Sequence, residues 1–200
     1  MHNLSGDPID ILIKHNHWAT AQVLAACSRL TGEQLHRRFD IGPGSLHDAL
    51  THTIGAMLRW SDRIAERPIK PSIEAAWPAE IFAGQPIEML HGKPSYTPAQ
   101  LGTLLRHATD SLQRVADDVR AATAVTNRAG LNTGFTTTFA DGSLHRLSKG
   151  GALVHVTTHG MHHRAQCLNM LRYCGDAVLA EKLPPSSVTE WQEVGEPGWL

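Results

Sequence analysis

His155, His159 and His163 recur every fourth residue in the run LVHVTTHGMHHRAQCLNMLRY, residues 153–173. Four residues make about one helical turn, so a helix here stacks the three imidazoles in a column on one face. Val156, Gly160, Cys167, Met170, Leu171 and Cys174 form an apolar stripe that contains His163 and borders His159. Such a helix needs other elements to cover its stripe, and the two imidazoles go inward with it. A buried imidazole left without a partner costs about 1–3 kcal/mol. The inward pair must therefore hydrogen-bond to neighbours or share a metal ion, and two imidazoles one turn apart can reach one ion. An open site of the catalytic zinc type takes three protein ligands. The third has to come from a facing helix.

Three more segments carry the same periodicity. Asp7-Pro8 reads as an N-cap followed by proline at the first helical position, and Ile9, Ile13, His17, Ala21 and Leu24 continue one face to about Leu30. Ser45 with Asp48 resembles a capping box and opens a second helix to about Glu66, with Leu46, Leu50, Ile54, Met57 and Ile64 on its core side. Thr97-Pro98-Ala99-Gln100 starts a third, whose seam is Leu101, Leu105, Ala108, Leu112, Val115, Val119 and Ala122. His107 and Asp110 fall off that seam and read as solvent-facing.

Residues 68–94 are interrupted by Pro, Gly and Trp, which reads as a long connection with short helical turns, pinned by Trp77, Phe82 and Met89. Thr and Phe enrichment around Asp141-Gly142 predicts a two-stranded hairpin over 136–146. Ser148 leads into the histidine helix, Cys174-Gly175 ends it, and SVTEWQEV near the C-terminus reads as one more short turn. The expected fold is all-α: an antiparallel four-helix bundle with a long connection between helices two and three and a small β-hairpin before the last helix. Two hundred residues fit a single domain over 1–200.

Charge and composition exclude several function classes. The net charge of −1 and the lack of any Lys/Arg block leave no electrostatic footprint for nucleic acid. No run of about 18 apolar residues spans a membrane, and the first residues lack the basic and apolar regions of a signal peptide. Cys27, Cys167 and Cys174 are an odd, low count that fits a reducing cytoplasm, where they read as small buried hydrophobes.

His17, His47, His52 and His107 are the candidates for the third ligand. His47 falls in the exposed first turn of its helix. His17 lies on the inward face of the first helix and is a rival. His52 stands mid-helix with Ala49 and Ala56 leaving room around its ring, and it is preferred. His155 extends the column by one turn and reads as a hydrogen-bonding partner behind a ligand.

These residues resemble the DinB family. His159, His163, Arg164 and Gln166 match that family's His-x-x-x-His-Arg-Gly-Gln signature, with Ala165 where Gly is usual. SLHDALTHTIGAMLRW matches its second helix, with His52 at the ligand position before Trp60, and His15-Asn16-His17-Trp18-Ala19 is similar to its aromatic-Asn-x-Trp-Ala stretch. His155 matches a recurrent extra histidine. Thr158 stands where Asn is common and Met57 where many members carry Glu.

The resemblance implies one divalent transition metal ion, nickel or zinc, on His52, His159 and His163. It also implies a thiol-dependent transferase or isomerase with a small-molecule substrate, a low-molecular-weight thiol as co-substrate, and a homodimer. Arg164 and Gln166 are the polar accessories, with plainer roles as an interhelical salt bridge and a loop anchor; His17 joins His155 as a further accessory. The alternative is a non-enzymatic metal-binding stress protein. Hydrolysis is weakened by Met57, which removes a candidate base.

Overall fold

The computed structural model describes residues 6–70, 87–90, 93–126, 130–139 and 141–197. In chain order these form α1 (Pro8–Cys27), a short α2 (Gly32–His36), α3 (Leu46–Ile64), the hairpin β1 (Glu88–Leu90) with β2 (Lys93–Ser95), and α4 (Pro98–Thr126). A 3-10 turn at Gly130–Asn132 leads to the hairpin β3 (Gly134–Thr138) with β4 (Leu144–Ser148). Then follow α5 (Lys149–Tyr173), α6 (Ala177–Glu181) and α7 (Val188–Glu193). The chain is thus mostly helical, with two small antiparallel hairpins.

The long helices begin where local chemistry satisfies their first N–H groups. The Asp7 carboxylate accepts from Ile9 and Asp10, Ser45 Oγ from Asp48, and Ser148 Oγ from Gly151. Thr97 and Gln100 cap each other, Gln100 N–H donating to Thr97 Oγ1 (3.2 Å) and Thr97 N–H to Gln100 Oε1 (2.9 Å). Each such cap contributes about 1 kcal/mol. α5 stops at Gly175, whose φ of 99° suits glycine and strains other residues.

Each long helix covers two others. α3 packs on α4 and α5, and α1 packs on the same pair. Ile13, Leu50, Ile54, Leu105, Leu112, Val156 and Met170 meet in the shared core. The α4 seam is buried from Leu101 to Val119, while Ala122 lies beyond the core and is exposed. α3 and α5 run antiparallel, and their register is visible in three rungs. His52 meets His159 and His163, the Trp60 ring lies 4.8 Å from that of His155, and Lys149 Nζ is 2.9 Å from Glu66 Oε1.

The 68–94 connection departs from expectation. At its C-terminal end the described residues form a β-hairpin and not helical turns, with Glu88 opposite Ser95 and Met89 opposite Pro94, while 71–86 lie outside the described residues. Pro94 has no N–H to give a helical turn, and a two-stranded ribbon tolerates it. Met89 does not pin the segment, being 64 % exposed; buried Tyr96 does so instead. Trp77 and Phe82 lie outside the described residues. α6 was not expected, although Asp176 caps it by accepting from Leu179 N–H. α7 falls where SVTEWQEV predicts it, and its Trp191 packs on Trp18 and Ala19.

Candidate metal centre

The α3–α5 register sets three imidazoles edge to edge. His159 Nε2 lies 3.2 Å from His52 Nε2 and 3.1 Å from His163 Nε2. One ring nitrogen from each residue falls within 4.8 Å of the others, so the group could hold a metal ion. His163 is buried, His159 half-buried and His52 exposed, which leaves the cluster open toward solvent on the His52 side.

Proton accounting shows that the three rings do not satisfy one another. Gln166 Oε1 accepts at 2.8 Å from His163 Nδ1, which therefore carries the proton and leaves a lone pair on Nε2. His159 Nε2 can donate its one proton to that lone pair or accept from His52, but cannot do both. His159 Nδ1 is buried and has no partner among the described residues. Burial first, then the neighbouring imidazoles of His163, His52, His155 and His162, hold His159 at a pKa of about 4. Burial also lowers His52, with His163 and Arg59 adding to the effect, and it lowers His163 against the opposing pull of Gln166. The rings are therefore neutral near pH 7, and three neutral imidazoles brought together are a donor set that suits a divalent transition metal.

The accessories divide. Gln166 bridges two rings, since its Nε2 also meets His162 Nε2 at 3.0 Å. It lies against Gly42, where a Cβ would collide with the amide and where φ is 50°. Gln166 is thus both a loop contact and a ring holder. Nothing in the sequence ties the Gly42 stretch to Gln166.

Arg164 is buried and makes no salt bridge among the described residues. It donates to the Oδ1 and backbone oxygen of Asn16 and to Thr20 Oγ1, linking α5 to α1 through neutral acceptors. Burial pulls its pKa down to about 10. Gly160 makes this contact possible, because a Cβ there would collide with Asn16 Oδ1. Asn16 also donates to Met57 Sδ at 3.6 Å, so Met57 belongs to this buried contact.

The rival histidines lie elsewhere. His17 donates from Nδ1 to Thr109 Oγ1 (2.9 Å), whose own proton goes to the Leu105 carbonyl, so it faces α4 and is not in the cluster. Burial, with Arg106 adding and Asp110 opposing, lowers its pKa to about 4. His47 Nε2 accepts from Tyr96 N–H at 2.9 Å; its side chain is buried and not at an exposed end. His107 is half-buried on α4 and outside the group. His155 makes no hydrogen bond to a neighbouring ring among the described residues. It lies 5.8 Å from the His159 ring and rests on Trp60, because its exposed position on α5 points past the cluster. Cys27, Cys167 and Cys174 are free and buried, and burial pushes the Cys167 thiol up to about 12. No described helix is long and apolar enough to cross a membrane.

No curated protein and no solved structure matches the chain. A family model described as DinB family matches residues 2–192, which includes α1, α3, α4, α5 and all three clustered histidines. With nearly the whole chain under that match, the protein belongs to the DinB family.

Proposed function

We propose that this chain is a metal-dependent enzyme of the thiol-dependent transferase or isomerase type. It is built as an antiparallel four-helix bundle in which His52, His159 and His163 hold one divalent transition metal ion. The carrying observation is the convergence of three neutral imidazole nitrogens within 4.8 Å on a site open along one side. Imidazole donors suit nickel and zinc alike, and these are the proposed metals. A divalent ion in an open three-imidazole site lowers the pKa of a bound water or thiol and so supplies a nucleophile at neutral pH.

The chain's own residues do the rest. Gln166 holds the His163 proton on Nδ1 and so aims Nε2 at the centre. The buried His163 side keeps bulk water from one hemisphere, and the exposed His52 side admits a small substrate and a low-molecular-weight thiol. A homodimer and a cytoplasmic location belong to the same proposal. The buried free thiols fit a reducing compartment, and light scattering reads the oligomeric state.

The test is elemental analysis joined to a rate. Purified chain should carry about one divalent ion, and His52→Ala, His159→Ala and His163→Ala should each lose it. Zinc- or nickel-restored protein should then consume a thiol and an electrophilic aryl chloride faster than the metal-free form. Metal bound with equal rates in both forms would favour the non-enzymatic metal-binding reading. Full metal in His52→Ala would overturn the ligand set.

A further inference from the structure

A cavity of about 520 Å³ opens between α3, α2 and the β1–β2 hairpin, lined by Arg38, His47, Asp48, Thr51, Lys93 and Tyr96 among others. Its volume is that of a small-molecule site. Two buried polar atoms in its wall, His47 Nδ1 and Thr51 Oγ1, have no hydrogen-bond partner among the described residues. His47 is only 4 % exposed, so neither water nor a ligand reaches its Nδ1 without movement of the wall. Its tautomer is set, because Nε2 accepts from the Tyr96 N–H and the proton is therefore on Nδ1. Asp48 Oδ1 lies 3.5 Å from that N–H, a long contact that still helps hold the Asp48 carboxyl below its ordinary range.

The rim is cationic and built. Arg38 Nη1 donates to Asp48 Oδ2 at 2.6 Å, and Nη2 reaches the Pro43 carbonyl at 3.4 Å. The guanidinium lies over Gly44, whose φ of 98° and lack of a Cβ make room for it. Lys93 faces the same cavity and has no carboxylate partner among the described residues. Arg38 and Lys93 together outweigh the single Asp48 carboxylate. The cavity also adjoins the histidine cluster: Asp48 stands four residues before His52 on one face of α3, about 6 Å along the axis.

We propose that this cavity binds a small molecule bearing a carboxylate or phosphate, with its anionic end on Arg38 and Lys93 at the rim and its far end directed toward His52. The last part rests on the metal-centre reading above; the anion site itself does not. It gives the enzyme a substrate class, namely small anions whose reacting group is separated from the charge by several bonds.

The experiment is a titration of the full-length, zinc-loaded chain, labelled with 15N-histidine, with inorganic phosphate and separately with succinate at constant ionic strength. Binding should shift the His47 ring signals. Arg38→Gln should weaken it by about tenfold and Lys93→Gln by several-fold, with zinc content unchanged. Arg114→Gln, an exposed arginine on α4, should bind as the parent does. Unchanged affinity in Arg38→Gln and Lys93→Gln would overturn the proposal, as would silence of the His47 signals with both anions. The same titration of His159→Ala separates the two readings. Binding that survives loss of zinc supports the cavity, and binding that vanishes with zinc places the anion on the ion and overturns it. A parent chain that holds no zinc yet binds phosphate through Arg38 keeps the cavity and removes the metal centre.

Discussion

Gln166 is the residue on which the geometry of the cluster turns most directly. It fixes the proton of His163 on Nδ1 and is itself wedged against Gly42. Removing such a ring holder in metal sites typically lowers affinity by about 10–100-fold. Gln166→Ala should therefore keep the fold and still bind zinc, but with affinity reduced by about that factor in competition with a chromophoric chelator. An unchanged affinity would mean that the ring is held by packing alone. The sequence showed Gln166 as a signature residue but not its partner, since the contact with Gly42 joins residues over a hundred positions apart. The third imidazole was similarly only half legible. His52 was favoured over His17 because Ala49 and Ala56 leave space, but what separates them is the α3–α5 register, which periodicity in a single helix does not contain.

At the scale of elements, what is local in sequence was readable and what is not local was missed. The starts of α1, α3, α4 and α5 followed from caps that satisfy N–H groups within three residues. The β1–β2 hairpin was missed because Trp, Pro and Gly mark a break in helix without saying what replaces it. The α1–α5 contact was missed as well. It depends on Gly160 admitting Asn16, and on Arg164 finding Asn16 and Thr20 in place of the acidic partner a salt bridge requires. That contact can be tested by Gly160→Ala. Alanine is the better helix former by about 1 kcal/mol, yet its methyl would enter the space of the Asn16 amide. Overpacking of this kind costs about 1–3 kcal/mol, so the clash outweighs the propensity. Urea unfolding should show a net loss of stability. A gain would mean that Asn16 and Arg164 rearrange freely, and that the buried link between α1 and α5 is not rigid.

For the whole molecule, the chain closes on itself through four long helices in which α3 touches α4 and α5 but belongs, in sequence, to the other side of a long connection. A metal ion on His52, His159 and His163 would join α3 to α5, helices brought together only in the folded chain. Such a ligand stabilises by binding the native state: at a hundred times its dissociation constant the gain is about 2.7 kcal/mol. His52 offers a clean way to isolate that term. Its side chain is exposed, so His52→Ala should leave the metal-free stability within about 0.5 kcal/mol of the parent. Thermal unfolding with zinc and with a chelator should therefore give two well-separated midpoints for the parent and one shared midpoint for His52→Ala. If chelation leaves the parent midpoint where it was, the three imidazoles do not hold an ion across the α3–α5 seam. If His52→Ala keeps the zinc-dependent rise, the ion sits on His159 and His163 without help from α3.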